Sequence, residues 1–126
     1  GRAQDALRIG ECVPGFDDIV RWEDLGVYRV LVYLPLAQLP PDAVPPGLVR
    51  LFEADPLLVD TLETYLDEGG DVRATIERLC IHRTSLYYRL NRIEEITGMR
   101  VRNGGDRLAM HLGLKLARLT GSRSST

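Results

Sequence analysis

The strongest constraint on the fold comes from two segments, residues 71–79 and 83–97, that only three residues separate. In both segments apolar residues recur every three or four positions, as they do along a helix with one buried face. Asp71 stands where a helix N-cap belongs, and Gly98 follows the second segment as a helix stop. Two helices joined by so short a connection, the second longer and basic, have the outline of a helix-turn-helix.

Further helices are predicted on both sides of this pair. Asp55 followed by Pro56 is typical of a helix start, and the glycines that precede Asp71 are typical of a helix end. A last helix is predicted from a cap at Asp106 to just before Gly121. The residues expected to face the core share helical spacing within each segment: Leu58, Leu62, Tyr65, Leu66, Val72, Ile76, Leu79, Leu86, Leu90, Ile93, Leu108, Leu112, Leu116 and Leu119.

The last predicted helix carries a second apolar face. Met110, Leu114 and Ala117 lie on the side opposite to the leucines assigned to the core. A surface helix seldom has two apolar faces, so we expect this one to be covered. The two candidates are residues 27–34 of the same chain and the same patch on a second subunit across a two-fold axis.

A proline-rich segment divides the chain. Five of the seven prolines fall in residues 35–47, and proline lacks the amide donor that helices and sheets need, so this segment is predicted to be a linker. The sequence thus predicts a mostly α fold, with a helix-turn-helix domain of four to five helices in residues 48–121. Residues 1–34 are expected to be a small α/β remnant of an upstream regulatory domain, and residues 122–126 a disordered tail.

The secondary structure of the upstream part has two interpretations. Its β-branched residues favour strands around Ile19–Trp22 and Val27–Tyr33. A helix through the second of these segments is the alternative, because Tyr28, Leu31 and Leu34 recur at a spacing of three. Two strands alone are marginal in water, which is why a larger domain is expected upstream.

Charge is distributed unevenly between the two halves of the chain. Residues 1–70 contain 5 arginines against 13 acidic residues, whereas residues 71–126 contain 11 basic residues against 5 acidic ones. The net charge of −2 therefore hides a basic half that coincides with the predicted helix-turn-helix. Such asymmetry indicates an anionic partner, although uneven surface charge without any partner is the alternative.

Several classes of function are not indicated by the composition. No segment approaches the roughly 18 apolar residues of a membrane span, and the first residues do not resemble a signal peptide, so a cytoplasmic location is expected. Cys12, Cys80, His82 and His111 are too few, and too poorly spaced, for a structural metal site. No convergent set of catalytic residues is present, so we expect neither an enzyme nor a cofactor.

The second helix of the pair carries the side chains that DNA recognition uses. Between Arg83 and Ile93 there are three arginines and no acidic residue. Arginine pairs bidentately with guanine or phosphate, hydroxyl and amide groups reach bases or phosphates, and the free amides of a helix start favour phosphate. An ordinary solvated face is the alternative. The candidates for base or near-base contacts are Arg83, Thr84, Ser85, Tyr87 and Tyr88, and those for phosphate contacts are Arg89, Arg92, Arg100 and Arg102.

Three stretches also carry a resemblance to a known family. They are TLETYLDEGGDV at 61–72, IHRTSLYYRLNRIEEITG at 81–98 and DRLAMHLGLKL at 106–116. Together they resemble the C-terminal helix-turn-helix of the PucR/CdaR family of bacterial transcription regulators. Thr84 and Ser85 depart from the family's usual Asn and Thr, so a different preferred DNA sequence is expected.

The resemblance implies sequence-specific binding of double-stranded DNA by a bacterial transcription regulator. Residues 22–34 resemble the family's connection between a regulatory, GGDEF-like domain and its DNA-binding end, a connection that is usually helical. Because one short recognition helix contacts few base pairs, a homodimer on repeated half-sites is expected. The alternative function is a helical protein-interaction module that keeps the fold without binding DNA, and salt-dependent DNA binding separates the two.

Overall fold

The computed structural model describes residues 22–121, and within this range it contains six α-helices and no strand. The helices are α1 (Trp22–Leu31), α2 (Pro46–Ala54), α3 (Pro56–Asp67), α4 (Val72–Leu79), α5 (Arg83–Thr97) and α6 (Gly104–Thr120). The mostly helical fold class is thereby confirmed. The predicted strand residues 19–21 and the predicted tail 122–126 lie outside the described residues. None of the six described helices is long and apolar enough to cross a membrane.

Helix α1 occupies most of the segment in which β-branched residues favoured strands, so the helical alternative is the correct one for residues 22–31. Leu31 is buried and Val27 is half-buried, whereas Arg29 is exposed. An alternating strand would place all three side chains on the same face and bury the arginine. The strand prediction was wrong because β propensity reflects the surroundings of a residue more than its backbone.

The proline-rich segment is made of two short 3₁₀ turns, Leu36–Gln38 and Pro41–Ala43. Helix α2 then begins at Pro46, in the first helical turn where a missing amide hydrogen costs nothing. This start lies two residues before residue 48, where the helix-turn-helix domain was predicted to begin. Val44 already packs against the core, so the end of the proline-rich segment is part of the folded unit.

Helix α3 lies at the centre of the domain and contacts α2, α4, α5 and α6. Asp55 ends α2 and caps α3, because its carboxylate accepts a hydrogen bond from the Leu57 amide at 2.9 Å. The helix ends before two glycines of positive φ, as predicted. The side chains predicted to face the core are all buried: Leu58, Leu62, Tyr65 and Leu66.

Helices α4 and α5 have the predicted bounds and are joined by residues 80–82. Asp71 caps α4 by accepting a hydrogen bond from the Ala74 amide at 2.9 Å. Cys80 ends α4 in the left-handed conformation with a φ of 57°, which turns the chain sharply into α5. Gly98 ends α5 with a φ of 72°, a conformation that costs glycine little.

Helix α6 differs from its prediction in both its cap and its buried face. Asn103, not Asp106, is the N-cap, since its side chain accepts from the Asp106 amide at 2.9 Å. Asp106 lies in the first helical turn, and its carboxylate accepts from the Arg100 amide at 2.8 Å. The glycines at 104 and 105, which precede the predicted cap, form the first turn of the helix.

The buried face of α6 is the one that the sequence placed opposite to the core and expected to be covered by residues 27–34 or by a second subunit. Met110, Leu114 and Ala117 are fully buried, whereas Leu108 and Leu112 are 69% and 38% exposed. Leu116 is buried and Leu119 half-buried, so only that end of the predicted inner face packs inward. The face that contains Gly113 turns inward because α2 approaches it closely. A Cβ atom at Gly113 would lie 2.9 Å from side-chain carbons of Leu48 and Pro45.

Buried charges join α6 to α3. The Lys115 ammonium lies 2.9 Å from the Glu63 carboxylate and 3.0 Å from that of Asp67. Arg118 donates to both Glu63 oxygens, and the His111 Nε2 atom lies 2.7 Å from the Asp67 carboxylate. A buried charge is costly unless it is paired, so this arrangement fixes how α6 sits on α3.

The pKa of Lys115 reflects these contacts. Burial lowers the pKa of this ammonium group, but the charges of Glu63 and Asp67 and their hydrogen bonds outweigh burial and raise it above its ordinary value of 10.5. A raised pKa in the folded state means that the stabilisation is present at neutral pH and is lost as the pH rises above 10.5.

Candidate nucleic-acid interface

Helix α5 is oriented by a narrow apolar stripe. Leu86, Leu90 and Ile93 are buried in the core, as the sequence predicted. Because successive residues of a helix turn by about 100°, the opposite side must face solvent. That exposed side carries Thr84, Ser85, Tyr88, Asn91 and Arg92.

The first turn of α5 presents both side-chain and backbone donors. Arg83, Thr84 and Ser85 are all exposed there. The preceding residue, His82, is the N-cap, but its side chain makes no capping hydrogen bond to the helix. The first backbone amides of a helix have no intrahelical partner, and their dipole favours an anion. This end of α5 is therefore suited to a phosphate group.

Two tyrosines extend this surface along the helix. Tyr88 is 70% exposed and Tyr87 is 37% exposed, although both are large aromatic residues. Tyrosine combines an apolar ring with a polar hydroxyl, so both exposed side chains are available for a contact. The phenol hydroxyl can donate to a phosphate, and the ring offers an apolar surface to a thymine methyl group.

Three arginines surround the C-terminal half of α5 and the loop that follows. Arg92 pairs with Glu95 at 3.2 Å, and Arg100 lies 3.8 Å from Glu94. Arg102 is exposed in the same loop. Solvent-exposed ion pairs contribute little to stability, so Arg92 and Arg100 can exchange their carboxylate partners for phosphate at low cost.

Arg89 is not on this surface. Its guanidinium Nη1 atom donates to Thr61 Oγ1 at 3.1 Å, and the side chain is half-buried between α5 and α3. The residue lies beside the apolar stripe rather than opposite to it. The hydrogen bond to Thr61 helps to hold α5 against α3, and the phosphate contact expected of Arg89 stays a prediction.

Sequence reasoning did not single out Arg73, a basic residue of the same unit. Arg73 lies in the first turn of α4, with a side chain 83% exposed and a loose pair with Glu77 at 3.6 Å. The signal was present in the sequence, since Arg73 follows the cap Asp71 by two residues and lies off the apolar stripe of α4. Arg73 thus places a positive charge on α4, the helix that precedes the turn.

A short helix, a three-residue turn and a longer helix with an exposed basic and polar face define a helix-turn-helix domain. Residues 58–116 match the family described as the PucR C-terminal helix-turn-helix domain. The matched region runs from the start of α3 to near the end of α6. It thus covers the helix-turn-helix together with the two helices that support it.

Two named regulators are among the relatives of this chain. It is 38% identical over 74 residues to the carbohydrate diacid regulator of Escherichia coli, which covers 59% of this chain and 19% of that protein. It is 28% identical over 119 residues to the purine catabolism regulatory protein of Bacillus subtilis, which covers 93% of this chain and 22% of that protein. An uncharacterized protein of Haemophilus influenzae is 39% identical over 64 residues, 51% of this chain and 17% of that protein.

The chain spans about a fifth of the length of the curated relatives it matches. Both named relatives are regulators, which agrees with the expectation that this chain is not an enzyme. No solved structure matches the chain at a significant level.

Proposed function

We propose that this chain is the DNA-binding end of a bacterial transcription regulator of the PucR family, and that it recognises a specific DNA sequence through α5. The observation that carries the proposal is the exposed face of α5, which is polar and basic and has no acidic residue before Glu94. This face belongs to a helix-turn-helix whose sequence matches the family domain. A helix of this kind fits the major groove of B-form DNA.

The proposed contacts follow from position along α5. Arg83, Thr84 and Ser85 occupy its first turn, the part of a recognition helix that approaches base edges. Tyr87 and Tyr88 stand next to them and reach bases or neighbouring sugar-phosphate groups. Four exposed arginines outside the first turn of α5 are proposed to contact phosphate: Arg73, Arg92, Arg100 and Arg102.

The longer protein and its assembly are also part of the proposal. The similarity to the Bacillus subtilis regulator covers 93% of this chain, so it extends well upstream of residue 58. We propose residues 1–34 as the end of an upstream regulatory, GGDEF-like domain. The proposed linker of residues 35–47 ends before Val44, because Val44 and the start of α2 at Pro46 belong to the folded DNA-binding domain that continues to residue 121. Two copies would bind repeated half-sites in the cytoplasm, because one recognition helix contacts too few base pairs for strong specificity.

The proposal is tested by selecting bound duplexes from random DNA with the 126-residue chain. We expect recovery of a common sequence element and binding of the recovered duplex in preference to a scrambled one. Arg83→Ala should cost about 1–3 kcal/mol on the recovered duplex and much less on the scrambled one. Recovery of no common element, or equal loss on both duplexes, would contradict sequence-specific reading by this residue.

A second candidate function is a protein-interaction module that keeps the fold without binding DNA. The exposure of Leu108 and Leu112 on α6 favours it, because exposed apolar side chains on one helix face are typical of contact surfaces. This candidate predicts no duplex binding at any salt concentration. Leu108→Glu would then abolish the partner contact, whereas it should leave binding of a single half-site by the proposed DNA-binding domain unchanged.

A further inference from the structure

Helix α2 forms hydrogen bonds with the C-terminal end of α5. The Arg50 guanidinium donates from Nε to the Ile96 carbonyl oxygen at 3.1 Å and from Nη2 to the Thr97 carbonyl oxygen at 3.3 Å. The last carbonyls of a helix have no intrahelical partner and carry the negative end of its dipole. A single arginine of α2 thus supplies both the missing donors and a favourable positive charge.

The backbones of the two helices also meet at this point. Gly47 is buried one turn before Arg50, and a Cβ atom there would overlap the carbonyl oxygen of Thr97. The obstacle is backbone rather than a flexible side chain, so no larger residue fits without moving α2 or α5. Thr97 itself is buried, and its hydroxyl donates to the Ile93 carbonyl oxygen at 2.8 Å.

Thr97, where α2 meets α5, directly precedes the loop that carries Arg100 and Arg102. The Met99 amide donates to the Thr97 hydroxyl at 3.1 Å, so the chain leaves α5 in a direction that Thr97 fixes. At the other end, about 20 Å away along a helix of 15 residues, lies the first turn with Arg83. A tilt of the C-terminal end of α5 would displace both parts of the proposed interface.

We propose that Arg50 and Gly47 of α2 are positioning residues for DNA binding, which set affinity by fixing the C-terminal end of α5 and do not touch DNA themselves. This inference rests on the function proposed above. Helix α2 is well placed for the role because Leu48 and Leu51 anchor it in the core.

The test compares Arg50→Gln with Arg50→Lys, and uses Arg29→Gln as a charge-matched control at an exposed position of α1. Affinity for a duplex selected by the wild-type chain is measured across a range of salt concentrations. Hydrogen exchange is measured in the free protein on peptides that span residues 93–101. Circular dichroism and thermal unfolding establish that each variant is folded at the temperature used.

We expect Arg50→Gln to weaken duplex binding roughly 2- to 30-fold at every salt concentration, the range of coupling through an intermediate contact. The salt slope should not change, because Arg50 releases no counterion from DNA. Exchange should be faster in residues 93–101 and unchanged in the first turn of α5. Arg50→Lys should recover part of the affinity, and Arg29→Gln should behave like the wild type.

Three results would overturn the inference. A salt slope reduced by about one would show that Arg50 contacts a phosphate directly. Unchanged exchange in residues 93–101 would show that Arg50 does not hold the end of α5, whether or not DNA is bound. Faster hydrogen exchange in residues 93–101 with unchanged duplex affinity would show that the C-terminal end of α5 does not control DNA binding. Absence of duplex binding by the wild-type chain would instead refute the proposed function itself.

Discussion

Arg89 Nη1 lies 3.1 Å from Thr61 Oγ1, which ties the middle of α5 to the central helix α3. The Thr61 hydroxyl in turn donates to the Leu57 carbonyl oxygen at 2.9 Å, and Thr61 is fully buried. An arginine in the middle of α5 is thus half-buried against α3. Its neighbours along the chain, Tyr88 and Leu90, respectively face the solvent and the core.

We therefore predict that Arg89→Ala affects stability rather than the electrostatics of DNA binding. Loss of a hydrogen bond from a charged, half-buried donor should cost about 1.5 kcal/mol in the free energy of unfolding, measured by urea denaturation. The dependence of duplex affinity on salt should keep the wild-type slope. A slope lowered by about one would return Arg89 to the set of phosphate contacts.

Substitutions at two adjacent positions test which face of α5 is buried and which is exposed. Leu90 is buried beneath the helix, so Leu90→Ala should cost about 2–5 kcal/mol through lost burial and the cavity left behind. Asn91 is exposed, and Asn91→Ala should stay within about 0.5 kcal/mol of the wild type. Equal denaturation midpoints for the two variants would contradict the orientation of the helix on which the interface depends.

Two substitutions test which face of α6 is buried. Leu114→Glu would place a carboxylate in a fully buried site and should unfold the domain or destabilise it by more than about 4 kcal/mol. Leu108→Glu replaces a side chain that is 69% exposed and should change stability by less than about 0.5 kcal/mol. Thermal unfolding followed by circular dichroism distinguishes them. A stable Leu114→Glu variant beside an unfolded Leu108→Glu variant would restore the orientation inferred from sequence.

Buried and exposed ion pairs should differ in their contributions to stability. Glu63→Gln removes the carboxylate that receives both Lys115 and Arg118 in a buried site, and should cost about 3 kcal/mol. Arg73→Ala breaks a solvent-exposed pair with Glu77 and should cost less than about 0.5 kcal/mol. Chemical denaturation near pH 7 measures both. Similar small changes in the two variants would show that the buried charges do not hold α6 in place.

Sequence reasoning was most successful where local chemistry alone determines the structure. Caps such as Asp55 and Asp71, and the left-handed stop at Gly98, depend on residues that are close together in the chain. The helix-turn-helix was therefore predicted with its bounds, and the exposed face of α5 followed from the apolar stripe opposite to it.

The cap of α6 at Asn103 is also local and was missed, but the other features depend on contacts between distant parts of the chain. Helix α6 has apolar residues on two faces, and the sequence does not indicate which face α2 approaches through Gly113. The sequence alone does not show that the Arg89 side chain bonds to Thr61, which lies 28 residues away in the chain. The bonds from Arg50 to the end of α5 join residues 46 and 47 positions apart, beyond the reach of any local pattern.

The most direct test of the central claim is a salt titration of duplex binding by the wild-type chain and by Arg92→Ala. Arg92 is exposed on α5 beyond its first turn, and it is proposed to contact phosphate. We predict that the logarithm of the affinity falls linearly with the logarithm of the salt concentration, and that Arg92→Ala lowers this slope by about one on selected and scrambled duplexes alike. Affinity independent of salt, or identical titrations for the two proteins, would contradict DNA binding through this face of α5.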